Sequence, residues 1–283
     1  VTVAEKIRTR FDQFTPAERE LANTLIANYP MAALGTIMEL AHQAKVSTPT
    51  VMRTIKKLGF TGFPAFQTAL HDELKQTLSD PIDKHDHWAN NVPAEHILNQ
   101  FVTSITNNLR QSLKQLDPES FDDVVTLLSD KKRSIHIVGG RITHAFADYL
   151  QTHLQVIRKD IHMLPASSGL WPHHLLNVRE GDVLVIFDVR RYEADLLELA
   201  KLANERNVKI VLFTDQWLSP ITSYTTHYFS CRIEAPSGWD SGVVTLFLIE
   251  SLIAAMEEKL WPETSSRLKE LEDIFDFTGR FKR

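Results

Sequence analysis

Asp188, Arg190 and Arg191 lie within four residues of one another, directly after the apolar run VLVIF. A buried strand that ends on a carboxylate and two guanidinium groups concentrates charge at one spot. Guanidinium forks bind carboxylates and phosphates by paired hydrogen bonds, so the chemistry on offer is anion recognition. A second apolar run, SIHIVG, ends on Gly139-Gly140-Arg141-Ile142-Thr143-His144 and adds a third guanidinium, a hydroxyl and an imidazole. Two readings follow. The arginines hold an anionic ligand, with Asp188 orienting one of them or accepting from a ligand hydroxyl or amine. Alternatively, they pair with Asp188, Glu193 and Asp195 or with a partner subunit, and the site is structural or filled in.

The elements that position these residues follow from periodicity. From about residue 96, two helices (96–116 and 118–130) precede an alternation of apolar strands and amphipathic helices. The strands are SIHIVG, DIHML, DVLVIFD, VKIVLFT and HYFSC; the helices between them include RITHAFADYLQTHLQVI, EADLLELAKLANERN and the short SPITSYT. A long helix, DSGVVTLFLIESLIAAMEEKL, follows the last strand. Such alternation predicts a five-stranded parallel sheet covered on both faces, a three-layer αβα body. Ligands of open parallel sheets sit beyond the C-terminal strand ends. That topology adds Ser167, Ser168, Gly169, Trp171, His173 and His174 after the second strand. It also adds Ser237, Gly238, Trp239, Asp240 and Ser241 before the long helix. Each Ser or Asp there also has a commoner role as a helix cap, and the two tryptophans are as well suited to packing.

The first 77 residues read as helices only. Thr15, Pro16 and Glu18 form a capping box with proline at the first helical position. TIMELAHQA, a short break at Lys45-Val46-Ser47, and TPTVMRTIKKL follow, with Gly59 as the terminator. This is the spacing of a helix-turn-helix, whose second helix crosses the major groove of DNA. That helix carries Arg53, Lys56 and Lys57 and no acid, and it begins at Ser47, Thr48 and Thr50. Lys45 in the turn adds a further cation. These seven are the candidate DNA-contacting residues; Val51, Ile55 and Leu58 should face the core. The alternative is a helical bundle with a solvated basic face. Charge supports the DNA reading weakly: residues 1–77 hold nine Lys/Arg and seven Asp/Glu (+2), leaving 22 and 29 (−7) of the chain's 31 and 36.

The tract VSTPTVMRTIKKLGFTGFPAFQTAL resembles the head of RpiR-type (MurR/RpiR) bacterial transcription regulators. Val46, Ser47, Thr50, Val51 and Arg53 match its first motif, and Lys57, Leu58, Gly59, Phe60, Gly62 and Phe63 match the rest. Residues 120–260 resemble the sugar isomerase (SIS) domain carried behind such heads, through REGDVLVIFD and VKIVLFTDQWLSPI. The resemblance implies operator binding as a dimer or tetramer, and a sugar-phosphate effector held by Gly-x-Gly-x-Ser and Ser-x-Ser-Gly-x-Thr tracts. This chain departs from both. Gly139-Gly140-Arg141-Ile142-Thr143 keeps the first glycine, and Asp188-Val189-Arg190-Arg191-Tyr192-Glu193 keeps none of the small residues. A side-chain anion site, for a sugar phosphate or a carboxylate, is therefore expected in place of a backbone nest.

Other signals are declined. DKHDHW lies in a polar stretch and reads as solvated rather than as a metal site. GGRITH lacks the dinucleotide fingerprint. Cys231 follows an apolar strand and reads as packing; one cysteine fits a reducing compartment. Longest apolar runs fall short of a membrane span, and the N-terminus has no signal-peptide pattern. The expected organisation is a helix-turn-helix head (1–77), a linker (78–95), an effector-binding and oligomerisation body (96–260) and a helical tail (261–283). The expected function is a cytoplasmic regulator without cofactor, metal or catalysis; the alternatives are a sugar-phosphate isomerase using His144, Glu193 and Asp188, or a regulator with a vestigial pocket.

Overall fold

The computed structural model describes residues 1–31, 34–89, 95–225 and 227–280, with the backbone alone at His87 and Ala89. Its first five helices are α1 (Val3–Thr9), α2 (Pro16–Ala27), α3 (Ile37–Gln43), α4 (Thr48–Lys57) and α5 (Phe63–Leu78). Capping sets their starts. Thr2, Thr15 and Thr36 each accept from the backbone N–H three residues on, and Glu5, Glu18 and Glu39 return the bond. Ser47 caps α4, and Val51, Ile55 and Leu58 are buried on its inner face. Lys45, in the left-handed region at φ 52°, turns the chain between α3 and α4.

Residues 81–89, expected to be a linker without period, form helix α6 (Pro81–Ala89). The reason is local: Asp80 Oδ1 accepts from the N–H groups of Ile82 (2.7 Å) and Asp83 (2.8 Å), and Pro81 takes the first helical position. Helices α7 (Ile97–Gln115) and α8 (Pro118–Ser129) then lead into the sheet.

The body alternates β1 (Ile135–Gly139), α9 (His144–Ile157), β2 (Ile161–Met163), α10 (Trp171–Leu175), β3 (Val183–Phe187), α11 (Ala194–Glu205), β4 (Lys209–Asp215), β5 (His227–Cys231) and α12 (Val243–Lys259). The Ser-Pro segment is a 3-10 turn (Pro220–Tyr224) rather than an α-helix. All pairings are parallel, in the order β2-β1-β3-β4-β5. Alternate strand residues divide between two apolar layers. Ile135, Ile137, Val183, Val185, Phe187, Val211 and Phe213 pack under α8, α9 and α12. Val138, Leu184, Ile186, Ile210 and Leu212 pack under α10 and α11. Helix α13 (Trp261–Thr278) lies against α9.

The head is not separate from the body. Its apolar core continues through Trp217, Leu218 and Ile233. Glu5 of α1 and Arg232 form a buried ion pair, Arg232 Nε lying 3.0 Å from Glu5 Oε1. Within the head, the Val3 N–H donates to Glu73 Oε1 at 2.8 Å.

Candidate functional site

Strand order sets the place. From β1 the chain crosses to β2 on one side and from there to β3 on the other, so the loops after β1 and β3 diverge and leave a crevice between them. A cleft of about 690 Å³ opens there. The β1 loop contributes Gly140, Arg141 and Thr143, and the β3 loop Asp188, Arg190, Arg191 and Glu193. The turn before α12 contributes Trp239, Asp240 and Ser241. These ten are all sequence-expected site residues. Other wall residues were not singled out by the local pattern, among them Phe146, Thr245 and, from the segment that joins head and body, Ser79 and Lys84. Nothing local marks Lys84 as a cleft residue; only the return of α6 across the strand ends brings it there.

The β1 loop is a tight turn. The Thr143 hydroxyl accepts from the Gly140 N–H (2.8 Å) and donates to the Phe187 carbonyl (2.7 Å), so it ties β1 to β3. A Cβ on Gly139 would lie 2.5 Å from the Thr143 carbonyl oxygen, which makes this close approach glycine-specific. The Arg141 N–H, at the mouth of α9, donates to Glu193 Oε1 at 2.8 Å. Glu193 thus supplies a carboxylate at the helix N-terminus, a place that favours anions. His144 starts α9 and does not line the cleft.

The β3 loop is held from beneath. Buried Asp215 accepts from the Arg190 N–H (2.7 Å), the Trp217 N–H (2.9 Å) and the Tyr192 hydroxyl (2.7 Å). Tyr192 is therefore a support and not a wall. These bonds hold Arg190 (φ 35°) and Arg191 (φ 54°) in the left-handed region, where two successive non-glycine residues are unusual. Asp188 is buried, bonded to the Ser219 hydroxyl and, at 3.3 Å, to the Glu193 N–H. Burial pushes its carboxyl up to about 7.

The three guanidinium groups have different surroundings. Arg190 packs over the Trp217 ring at 4.5 Å and pairs with Asp240, Nε to Oδ2 at 2.7 Å. It also donates to the Gln76 carbonyl and, at 3.1 Å, to Ser79 Oγ. Lys84 Nζ reaches Asp240 Oδ1 at 2.5 Å from the other side. Arg141 and Arg191 are exposed at the cleft and form no ion pair among the described residues. Arg190 is thus paired, with Asp240 rather than with Asp188, Glu193 or Asp195, while Arg141 and Arg191 remain exposed at the opening.

The rim after β2 does not join. Ser167 and Ser168 lie outside the cleft, as do Gly169, His173 and His174. Trp171 is buried and donates to the Pro165 carbonyl at 2.8 Å, a packing role. Cys231 is fully buried, its thiol pushed up to about 12 by desolvation. His85 and Asp86 sit exposed on α6, Nδ1 to Oδ1 at 3.4 Å; the His87 side chain lies outside the described residues.

In the head, Lys45, Ser47, Arg53, Lys56 and Lys57 are exposed and Thr48 and Thr50 half-buried, around the start and outer face of α4. Ser47 Oγ lies 2.9 Å from Thr50 Oγ1 and caps the helix. Lys57 Nζ lies 2.7 Å from Glu18 of α2; burial pushes the Glu18 carboxyl up, but this pair and the bonds from Thr15 hold it below its usual range. Among the described residues, no helix is long and apolar enough to cross a membrane.

Comparison with known proteins agrees with both halves. A family model for the helix-turn-helix domain of the rpiR family matches residues 1–77, and one for the SIS domain matches residues 127–255. The chain is 27% identical over 214 residues to the HTH-type transcriptional regulator HexR of Pseudomonas aeruginosa, covering 74% of this chain and 72% of that protein. The sugar isomerase domain of an RpiR transcription factor from Sphaerobacter thermophilus superposes with a TM-score of 0.59 at 22% identity, over 63% of this chain and 99% of that one. The Vibrio vulnificus NanR protein complexed with ManNAc-6P superposes with a TM-score of 0.56 at 21% identity, over 97% and 98%. With an rpiR-family helix-turn-helix at its N-terminus and an SIS domain behind it, the chain belongs to the RpiR family of transcriptional regulators.

Proposed function

We propose that this regulator binds its operator as a homo-oligomer, in the cytoplasm, and that an anionic metabolite in the β1/β3 crevice sets its DNA affinity. The observation that carries the reading is the cleft itself. Four cations, Lys84, Arg141, Arg190 and Arg191, line it at the switch point, and Ser79 and Lys84 come from the segment that leads to the head. A ligand there touches both halves of the chain and has differential contacts with any two arrangements of them. The NanR protein complexed with ManNAc-6P, a sugar phosphate, supports a ligand of that class. The Glu193 carboxylate on the Arg141 N–H means that the ligand's anion is held by side chains, because a phosphate on the α9 N-terminus would have to displace it. No cofactor enters this reading, and the body acts as a sensor rather than as a catalyst.

Helix α7 supports self-association. It turns Asn108 and Ser112 inward, where Asn108 donates to the Glu234 carbonyl (2.6 Å) and Ser112 accepts from the Arg232 N–H (2.9 Å). Leu98 (67%), Val102 (65%) and Leu113 (47%) stay exposed. Leu109 packs inward against the body core, so the outward set is Leu98, Val102 and Leu113; an exposed apolar patch of this kind is covered by a partner surface, and a second copy supplies one by symmetry.

The test is a thermal-shift screen with sugar phosphates, sugar acids and dicarboxylates on the wild type and on Arg141→Ala/Arg191→Ala. A ligand at a hundred times its Kd stabilises the native state by about 2.7 kcal/mol. The expected result is a shift with one anion class that is lost in the double variant. No shift with any anion would sink the sensor reading, and turnover of a sugar phosphate would make the body a catalyst.

A further inference from the structure

Asp240 stands between two cations of different origin. Arg190 belongs to the β3 loop and Lys84 to α6, and both side chains are largely buried, at 9% and 14% exposure. Burial lowers the Lys84 pKa, and its bond to Asp240 offsets that cost. Arg190 extends past Asp240 to the Gln76 carbonyl at the C-terminal end of α5 and to Ser79 Oγ. One carboxylate on the cleft wall therefore fixes the arginine that grips the last turn of the head's final helix, and also the lysine of the helix that follows. The backbone is close as well: a Cβ on Gly238 would lie 2.7 Å from the Pro81 carbonyl oxygen. Asp240 itself is 21% exposed and faces the cleft with Arg190 and Lys84.

We propose that Asp240 is an internal stand-in for the effector's anionic group: it holds Arg190 and Lys84 in the ligand-free protein, and a bound anion competes for both cations and so releases the α5–α6 segment. The proposal rests on the effector reading of the cleft and adds its regulation. Phosphate and carboxylate share the required chemistry, since either is bound by a guanidinium and an ammonium group together. A ligand that takes these two cations removes the polar ties of residues 76–84 to the body wall and leaves only the close approach of Pro81 to Gly238. The apolar contacts of the head with Trp217, Leu218 and Ile233 stay in place, so the release is local to the segment rather than an unfolding of the head.

The experiment is hydrogen exchange of the amides of residues 76–86 in the full chain, on wild type, Asp240→Asn and Gly238→Ala. The probes are inorganic phosphate, glucose 6-phosphate and gluconate, with occupancy read separately by thermal shift. Without ligand, both variants are expected to exchange this segment about tenfold faster than wild type. Asp240→Asn is expected to bind the effective anion about tenfold more tightly, because the internal competitor is gone. The anion is expected to accelerate exchange in wild type and to add nothing in Asp240→Asn. Response to glucose 6-phosphate and inorganic phosphate identifies a phosphate effector, and response to gluconate a carboxylate. Wild-type exchange in Asp240→Asn would refute the tie. An anion that binds wild type without accelerating the segment would refute the competition. If no probe binds any variant while Asp240→Asn is loosened, the effector reading fails and the competition with it, leaving Asp240 as a structural tie.

Discussion

Two buried carboxyls, Glu73 and Asp188, are each pushed up to about 7 by desolvation. Glu73 keeps one oxygen on the Val3 N–H and the other unpartnered. In an unfolded chain both titrate near 4. Between those values the native state holds protons that the unfolded state has released, so stability falls as pH rises. The contribution is complete below about pH 4 and lost on passing 7, at most about 4 kcal/mol for each group. The urea midpoint is therefore expected to fall from pH 5 to pH 8. Glu73→Gln, which keeps an acceptor for the Val3 N–H without a charge, should flatten part of that slope. A slope unchanged by the substitution would show that Glu73 is already ionised in the native protein.

Helix α4 shows what the helix-turn-helix asks of one element. Its inner stripe is apolar and its N-terminus is closed by Ser47. Arg53 and Lys56, three residues apart, share its outer face. Lys57 is engaged by Glu18, so its charge is partly neutralised within the head. Arg53→Ala is expected to weaken binding to a duplex about tenfold at low salt. If Arg53 meets a phosphate, the slope of log K against log salt should also drop by about 0.9. Lys57→Ala should cost less in affinity and more in stability. Fluorescence anisotropy on one duplex across a salt series checks both, and equal losses for the two variants would contradict the assignment. The thermal shift given by an anion should be the same in Arg53→Ala as in wild type.

At the scale of the molecule, three arrangements have to work together: the head on the strand ends, the cleft beneath, and the outward apolar face of α7. Substituting Leu98→Glu with Val102→Glu places charge on that face while touching neither Asn108 nor Ser112. Light scattering is expected to show dissociation toward the monomer. Affinity for a two-half-site operator should fall with it, because each copy then binds alone. An unchanged mass would place the interface elsewhere.

Much of this was legible in the chain. The Thr15 capping box, Pro16 and Gly59 marked the head's helices, and short continuous apolar runs alternating with helices marked a parallel sheet with two covered faces, because these signals are local. So was the replacement of a small-residue phosphate loop by Asp188-Val189-Arg190-Arg191-Tyr192-Glu193. What those charges do was not legible. Arg190 turns to Gln76 and Asp240, Glu193 reaches across to the Arg141 N–H, and Lys84 joins the cleft from a segment read as linker. The partners stand 114, 52 and 156 residues apart. A charge chooses among opposite charges by burial and geometry. Those are properties of the packed chain, set only once α5 and α6 lie across the strand ends, and no local spacing encodes them.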